Sequence, residues 1–109
     1  MQMNITEAKA MAAEMLSDNK AYEKYKPTIL DNDTLETDFG WVFFYQSHDF
    51  IEHKDERKML VGNAPIFVDK DHNLTFPSGT RLPTKQYIDI YMENRANVKL
   101  FHAIAGSVR

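Results

Sequence analysis

The stretch FGWVFFYQS, Phe39–Ser47, concentrates five aromatic side chains within seven positions and then ends in a polar pair. Its alternation predicts a strand over Trp41–Gln46, because successive residues of a strand point to opposite faces of a sheet. One face carries Trp41, Phe43 and Tyr45, and the other carries Val42 and Phe44. Since both faces are apolar, we expect a central strand that is covered on at least one side. An exposed aromatic platform for a ligand or a partner is the alternative that the sequence leaves open.

One amphipathic helix is predicted before this strand and another after it. The first begins near Thr6, whose hydroxyl is placed to cap the helix. Its apolar stripe has helical spacing and consists of Ala8, Met11, Ala12, Met15 and Leu16. The second begins at Thr84, again with a capping hydroxyl, and its apolar positions are Tyr87, Ile88, Tyr91 and Met92. We expect the first stripe to pack flat against a sheet.

Shorter signals predict the remaining strands. The segment TILDNDTLET is β-prone at both ends and polar at Asp31–Asp33, where we expect a bulge or a turn. A hairpin is predicted with strands at Ala64–Val68 and Leu74–Phe76, joined by the turn Asp69–Asn73. These strands add to the aromatic one to form a small sheet.

The connections complete the predicted fold. Gly40 is expected in a tight turn, because glycine adopts a positive φ without a Cβ clash. The charged segment Ser47–Val61 is predicted to be a loop with a short helical turn that wraps over the sheet. The fold class is therefore α+β, with a small antiparallel sheet of about four strands and an N-terminal and a C-terminal helix packed on it.

Composition narrows the classes of function. A length of 109 residues predicts a single domain over 1–109, and a net charge of −3 gives no footprint for nucleic acid or for an anionic membrane. The absence of cysteine excludes disulfides and thiol catalysis and fits a reducing cytosol. We see no signal-peptide pattern and no apolar run long enough to span a bilayer. We therefore expect a cytoplasmic location.

No sequence motif predicts catalysis, and we expect a protein that is not an enzyme and has no cofactor. The four histidines do not have the spacing of a metal site on one element: they are His48, His53, His72 and His102. The dispersed glycines form no Walker or G-x-G-x-x-G pattern, and no serine lies in a G-x-S-x-G elbow. A metal site assembled in three dimensions is the alternative.

Local charge gives a further signal. The segment Asp31–Asp38 holds four acidic residues and no basic one. Such a run is commonly a solvated face. The alternative is an acidic edge that docks onto a basic partner and accelerates the encounter by electrostatic steering.

The aromatic strand and the segments after it together resemble the bacterial YrhB-domain family, also described as the immunity protein 35 family. In that family an aromatic G-W-x-F-x-Y-Q-S strand precedes a charged segment, a G-N-x-P strand ending in aspartate, a G-T segment and a tyrosine-rich helix. The matching positions are Gly40, Trp41, Phe43, Tyr45, Gln46, Ser47, Gly62, Asn63, Pro65, Asp69, Gly79, Thr80, Pro83, Tyr87 and Ile88. The likeness covers about residues 1–91 and leaves 92–109 as a C-terminal extension. It departs from the pattern at Arg81 and Leu82, before the proline.

The resemblance implies a small binding protein that neutralises a cognate bacterial toxin without catalysis. Members are predicted to be immunity proteins encoded beside polymorphic toxins, whereas the YrhB branch is associated with a chaperone-like role, a holdase for unfolded clients.

The expected partner-binding positions lie in the polar segments and at the end of the aromatic strand. They are Asp31, Asp33, Glu36, Asp38, Gln46, His48, Asp49, Glu52 and Asn63. Gln46 and Ser47 are expected where the strand emerges into solvent, next to turns at Gly62-Asn63 and Gly79-Thr80. An exposed edge strand also leaves homodimerisation open.

Overall fold

The computed structural model describes residues 3–61 and 63–94. The predicted α+β class is confirmed, with a helix from each end of this region packed on antiparallel sheets. The helices are α1 (Ile5–Ser17), α2 (His48–His53) and α3 (Thr84–Glu93). The strands are β1 (Thr28–Ile29), β2 (Leu35–Glu36), β3 (Gly40–Phe43), β4 (Tyr45–Gln46), β5 (Ile66–Asp69) and β6 (Leu74–Pro77). Turns of 3-10 helix occur at Lys20–Tyr25, Asp31–Asp33 and Glu56–Lys58.

The aromatic stretch forms two consecutive strands in place of the single predicted one. β3 belongs to a four-stranded sheet of order β2-β3-β5-β6, whereas β4 pairs with β1 in a two-stranded sheet. Phe44 separates β3 from β4, and its carbonyl oxygen accepts a hydrogen bond of 2.8 Å from the Leu30 N–H. The interruption lies opposite the turn Asp31–Asp33, which separates β1 from β2 and so breaks the ladder on that side.

One face of the aromatic stretch packs on α1. Trp41, Phe43 and Tyr45 are buried there with three small or aliphatic residues of the helix, which are Ala8, Ala12 and Leu16. Met11 and Met15 pack at the margin of this cluster. The expectation that the first helix lies flat on the sheet is confirmed, since α1 contacts both β3 and β5.

The opposite face packs on α3. Val42 and Phe67 are buried there with Phe39, Phe76 and two tyrosines of the helix, Tyr87 and Tyr91. The rings of Phe39 and Tyr91 meet edge to face with centroids 4.8 Å apart. A helix therefore covers each face of β3, which confirms the interpretation of the aromatic stretch as core.

A fully buried carboxylate joins the hairpin turn to α3. Asp69 ends β5, and its Oδ1 accepts hydrogen bonds from the N–H groups of Asp71 and His72 at 2.9 and 3.1 Å. The Tyr91 hydroxyl donates to Oδ2 at 2.6 Å. Hydrogen bonds of this kind offset the desolvation of a buried charge and are stronger than those between neutral groups.

The turn at Gly40 requires glycine. Its φ of 149° lies in a region that L side chains rarely adopt, and a Cβ there would overlap the carbonyl oxygen of Val68. Thr37 and Gly40 exchange both backbone hydrogen bonds, at 2.8 and 3.2 Å, and so close a tight hairpin between β2 and β3. The predicted tight turn is confirmed.

Both predicted helix caps are wrong. Asn4 caps α1 by accepting from the Glu7 N–H at 2.9 Å, and the Glu7 carboxylate accepts in return from the Asn4 N–H at 3.3 Å. In α3 the cap residue is Pro83, which has no side-chain acceptor, so Thr84 is already helical. Asn4 and Glu7 thereby form a reciprocal capping box at the start of α1, whereas α3 begins without a side-chain cap.

Two further predictions have different outcomes. The loop with a helical turn is confirmed, since α2 and a 3-10 turn lie within Ser47–Val61. The predictions for Gly62 and for the extension beyond Asn94 lie outside the described residues.

Candidate protein-binding site

The acidic segment runs along one edge of the sheets as an interrupted strand. Ile29 pairs with Tyr45 and Leu35 pairs with Val42, so residues 30–34 lie opposite only Phe43 and Phe44. The surplus chain forms a 3-10 turn that projects from the ladder. The structure thereby brings the four predicted acidic residues to one edge, all of them exposed: Asp31, Asp33, Glu36 and Asp38.

Two lysines partly balance this edge. Lys9 of α1 lies with its Nζ 2.7 Å from Asp31 Oδ1, and both side chains are largely in solvent. An exposed pair of this kind contributes little to stability, about 0–1 kcal/mol. Lys85 of α3 lines the same groove as Glu36 and Asp38, together with a further carboxylate at Asp89. With five carboxylates and two ammonium groups, the edge remains negatively charged.

A groove lies between β2 and α3 and is called here the helix-side groove. Its volume is about 410 Å³. The strand side contributes Leu35, Glu36, Thr37 and Asp38, and the helix side contributes Lys85, Ile88, Asp89 and Met92. Leu35 is 41% exposed and Met92 is 38% exposed, so apolar surface lies within the acidic edge.

A second groove, of about 470 Å³, also uses Leu35. The remaining lining residues come from the interrupted strand, from the break in the aromatic stretch and from the segment before β5: they are Leu30, Asp33, Phe44, Tyr45 and Asn63. The Asn63 amide donates to the Tyr45 carbonyl oxygen at 3.2 Å. The structure therefore brings the predicted residues Asp33 and Asn63 into one groove.

The expectation that the chain emerges into solvent at Gln46 and Ser47 is wrong for Ser47, and Gln46 is half-buried. Ser47 is fully buried, and its Oγ accepts from the Phe50 N–H at 3.1 Å to cap α2. Gln46 Oε1 accepts from the N–H groups of Leu60 and Ser47 at 2.5 and 2.9 Å, and its Nε2 donates to the Leu60 carbonyl at 3.2 Å. The Gln46 side chain thus bonds both the N–H and the C=O of Leu60, as the backbone of a neighbouring strand would. Its hydrogen bonds are made inside the protein.

The remaining predicted positions lie on α2, an element separate from the acidic edge. His48 and Glu52 are exposed there, whereas Asp49 is half-buried in the first turn. Within residues 3–61 and 63–94, no cluster of His, Asp and Glu side chains has the geometry to hold a metal ion.

The shifted pKa values of Tyr45 and Asp55 have their causes in the local structure. Burial raises the pKa of the Tyr45 hydroxyl above its ordinary value, and a hydrogen bond with Tyr22 adds to the shift. The hydroxyl donates to the Ala64 carbonyl at 2.9 Å and so fastens β4 to the segment before β5. The Arg57 guanidinium, 3.0 Å from the Asp55 carboxylate, lowers the pKa of that half-buried acid. Among the helices described, none has the length and apolar character needed to cross a membrane.

Sequence reasoning missed the helix side of the edge. It placed Ile88 and Met92 on the same apolar face as Tyr87 and Tyr91. The structure buries the two tyrosines, while Met92 faces the helix-side groove. The available signal was the spacing of Lys85, Ile88, Asp89 and Met92 at i, i+3, i+4 and i+7, which marks a second, mixed face of one helix.

Comparison with known proteins gives two matches. The model of the family described as immunity protein 35 matches residues 6–88. The chain is also 36% identical over 61 residues to the uncharacterized protein YrhB of Escherichia coli (strain K12). That alignment covers 56% of this chain and 65% of the relative, just under two thirds of its length. No solved structure matches the chain. The family match includes all of β2, the strand residues that line the two grooves, and the start of α3.

Proposed function

This chain belongs to the immunity protein 35 family, as the resemblance of its aromatic strand predicted, and we propose that it binds and neutralises a cognate bacterial toxin. Neutralisation is stoichiometric: the bound protein covers the toxin's active site or substrate path and catalyses nothing itself. The complex forms in the cytoplasm, where the toxin would otherwise act on its producer.

The observation that carries this proposal is the mixed surface at the sheet edge. Exposed apolar side chains at Leu35 and Met92 lie among the carboxylates of Glu36, Asp38 and Asp89. An apolar centre with a charged rim is the usual composition of a protein-binding surface. The edge is also outside the two core clusters, so its residues can change with the partner while the fold is retained.

The net negative charge of the edge favours a toxin with a basic surface. Complementary charge raises the association rate, and the effect falls as salt screens the field over about 8–10 Å. We therefore expect the association rate constant to fall with ionic strength, while the dissociation rate constant changes less.

The test uses the toxin domain encoded beside the gene for this protein. Native mass spectrometry of the mixture should give a 1:1 complex, and the protein should restore the growth of cells that express the toxin. The double variant Glu36→Lys/Asp38→Lys should lose both effects. Glu14→Lys/Asp18→Lys is the control matched in charge, because Glu14 and Asp18 line a cavity with Thr75 on β6, at the opposite edge of the sheet. Retention of full rescue by the edge variant would place the contact elsewhere, and absence of any complex would refute the immunity role.

A holdase for unfolded clients is the second candidate. It is favoured by Met59 and Val61, which are 40% and 81% exposed near the end of the charged loop. A holdase binds many clients weakly, whereas an immunity protein binds one partner tightly. Suppression of the thermal aggregation of unrelated proteins that is lost in Met59→Ser/Val61→Ser, and kept in Glu36→Lys/Asp38→Lys, would support it.

A further inference from the structure

Within residues 3–61 and 63–94, the register of the β2–β3 hairpin leaves backbone groups of β2 without a hydrogen-bond partner. Because Thr37 and Gly40 exchange both hydrogen bonds, the next pair, Glu36 with Trp41, does not, and Leu35 with Val42 is hydrogen-bonded again. The N–H and C=O of Glu36 consequently point away from β3. Among the described strands β2 is the outer one of its sheet, so these groups point outward from the sheet, at a residue that lines the helix-side groove.

The other wall of this groove is a single stripe of α3. Lys85, Ile88, Asp89 and Met92 follow one another at i, i+3, i+4 and i+7, and Tyr87 and Tyr91 fix the helix on the sheet through the core. A groove between an edge strand and a helix is an arrangement that accepts an extended peptide as an added strand. Main-chain hydrogen bonds then give affinity, and alternate side chains give specificity.

Building on the proposed function, we propose that the toxin supplies an extended segment that adds to β2 as a further strand in the helix-side groove. The two faces of β2 define the pattern of this segment. Leu35 lies opposite Val42, on the face that packs against α3, whereas Glu36 lies opposite Trp41, on the face that packs against α1. Side chains that neighbour each other on one face interact across strands. The segment therefore alternates apolar residues, which pack beside Leu35 and Met92, with basic residues, which pair with Glu36.

Charge distinguishes this occupant from a second copy of the chain. Pairing of two β2 strands would place Glu36 and Asp38 of one copy beside the same residues of the other. Like charges that face each other across strands are destabilising, and charged side chains are a common protection of sheet edges against self-pairing. A basic segment converts the same carboxylates into favourable contacts.

Two substitutions separate the backbone of β2 from its charge. Glu36→Pro removes the outward N–H together with the carboxylate, whereas Glu36→Gln removes only the charge. Proline is tolerated on the outer side of an edge strand, so Glu36→Pro should fold. Leu35→Pro should not, because it deletes the hydrogen bond to β3. We expect Glu36→Pro to weaken binding to the toxin domain about tenfold beyond Glu36→Gln, the effect of one backbone hydrogen bond left unpaired in an interface.

The second measurement is hydrogen exchange at the Glu36 amide, followed by NMR in the wild-type protein with and without the toxin domain. The expected result is slower exchange in the complex. The measurement is repeated with a peptide of seven residues that alternates lysine with valine in place of the toxin domain. The control is the same peptide with glutamate at each lysine position. Only the basic peptide should slow exchange at Glu36 and shift the resonances of Ile88 and Met92.

The outcomes separate this inference from the proposed function. A 1:1 toxin complex in which Glu36→Pro binds like Glu36→Gln, with unchanged exchange at Glu36, overturns strand addition and leaves immunity standing. If the toxin domain does not bind, immunity fails, and the peptides alone decide whether the groove accepts a basic strand. Protection of Glu36 that depends only on the concentration of the free protein overturns the proposal in favour of a second copy.

Discussion

Substitution of Gln46 by alanine distinguishes a structural from a partner-binding role for this residue. Its side chain makes three hydrogen bonds, two of them to the backbone of Leu60. Each bond contributes about 0.5–1.5 kcal/mol, and the loss is larger where a buried group is left unpaired. Leu60 is only 8% exposed, so its N–H and C=O cannot both recover their bonds from water. We expect Gln46→Ala to lower the free energy of unfolding by about 2–4 kcal/mol, a large part of the 5–15 kcal/mol typical of a domain.

The assay is urea unfolding followed by the fluorescence of Trp41, the chain's single tryptophan, which is 7% exposed. Gln46→Glu keeps both acceptor bonds and replaces the donor to the Leu60 carbonyl with a negative charge, so it should also destabilise the fold. Glu36→Gln is the control on the exposed edge, and its change should stay within about 0.5 kcal/mol. A stability loss below that value for Gln46→Ala, together with weaker toxin binding, would refute the structural role and restore Gln46 to the interface.

Three further changes probe the core and the turns. Asp69→Asn should destabilise the protein by about 1.5–3 kcal/mol in urea unfolding, because the hydrogen bond from Tyr91 loses its charged acceptor; no change would mean that the carboxylate is not ionised in the fold. Gly40→Ala should abolish folding, seen as loss of near-UV circular dichroism, because its Cβ overlaps the Val68 carbonyl; a native spectrum would contradict this. Tyr45→Phe tests the raised pKa of the Tyr45 hydroxyl. The folded pKa exceeds the unfolded value of 10.0, so this contribution to stability is complete below pH 10 and lost above it. Thermal melts between pH 8 and 11 should therefore fall more steeply for the wild type than for Tyr45→Phe, and parallel curves would refute the assignment.

The core could be predicted from the sequence because its signals are repeated and mutually consistent. The alternation around Trp41 and the helical stripe from Ala8 to Leu16 each predict one buried face, and the structure packs these faces together. Boundaries were less predictable. The cap of α1 is Asn4 although Thr6 also has a capping hydroxyl, because Asn4 and Glu7 form a reciprocal capping box, whereas the residue three positions after Thr6 is Lys9.

The proposed binding surface was predictable on its strand side only. The run of acidic residues is visible in the sequence and lies on one edge of the structure. Gln46 was predicted to lie at the solvent-exposed rim of an interface, because a polar residue after an aromatic strand is typical of such a position. Its hydrogen-bond partner Leu60 lies fourteen positions away in the sequence, so this contact has no local signal. The spacing of Lys85, Asp89 and Met92 indicates a second face of α3, but what this face lies against depends on how the helix rotates about the contacts of Tyr87 and Tyr91, which is a property of packing.

The turn of 3-10 helix between β1 and β2 has a consequence for how the protein could change its partner. Pairing on either side of it is set independently, by Ile29 with Tyr45 and by Leu35 with Val42. Residues can therefore be gained or lost in the intervening loop without a shift of register in either sheet. Small insertions and deletions at this point should remodel the shape of the edge in a single evolutionary step, whereas changes in β2 itself would have to preserve the hairpin. Related chains that protect against different toxins are expected to differ first in the length of this loop.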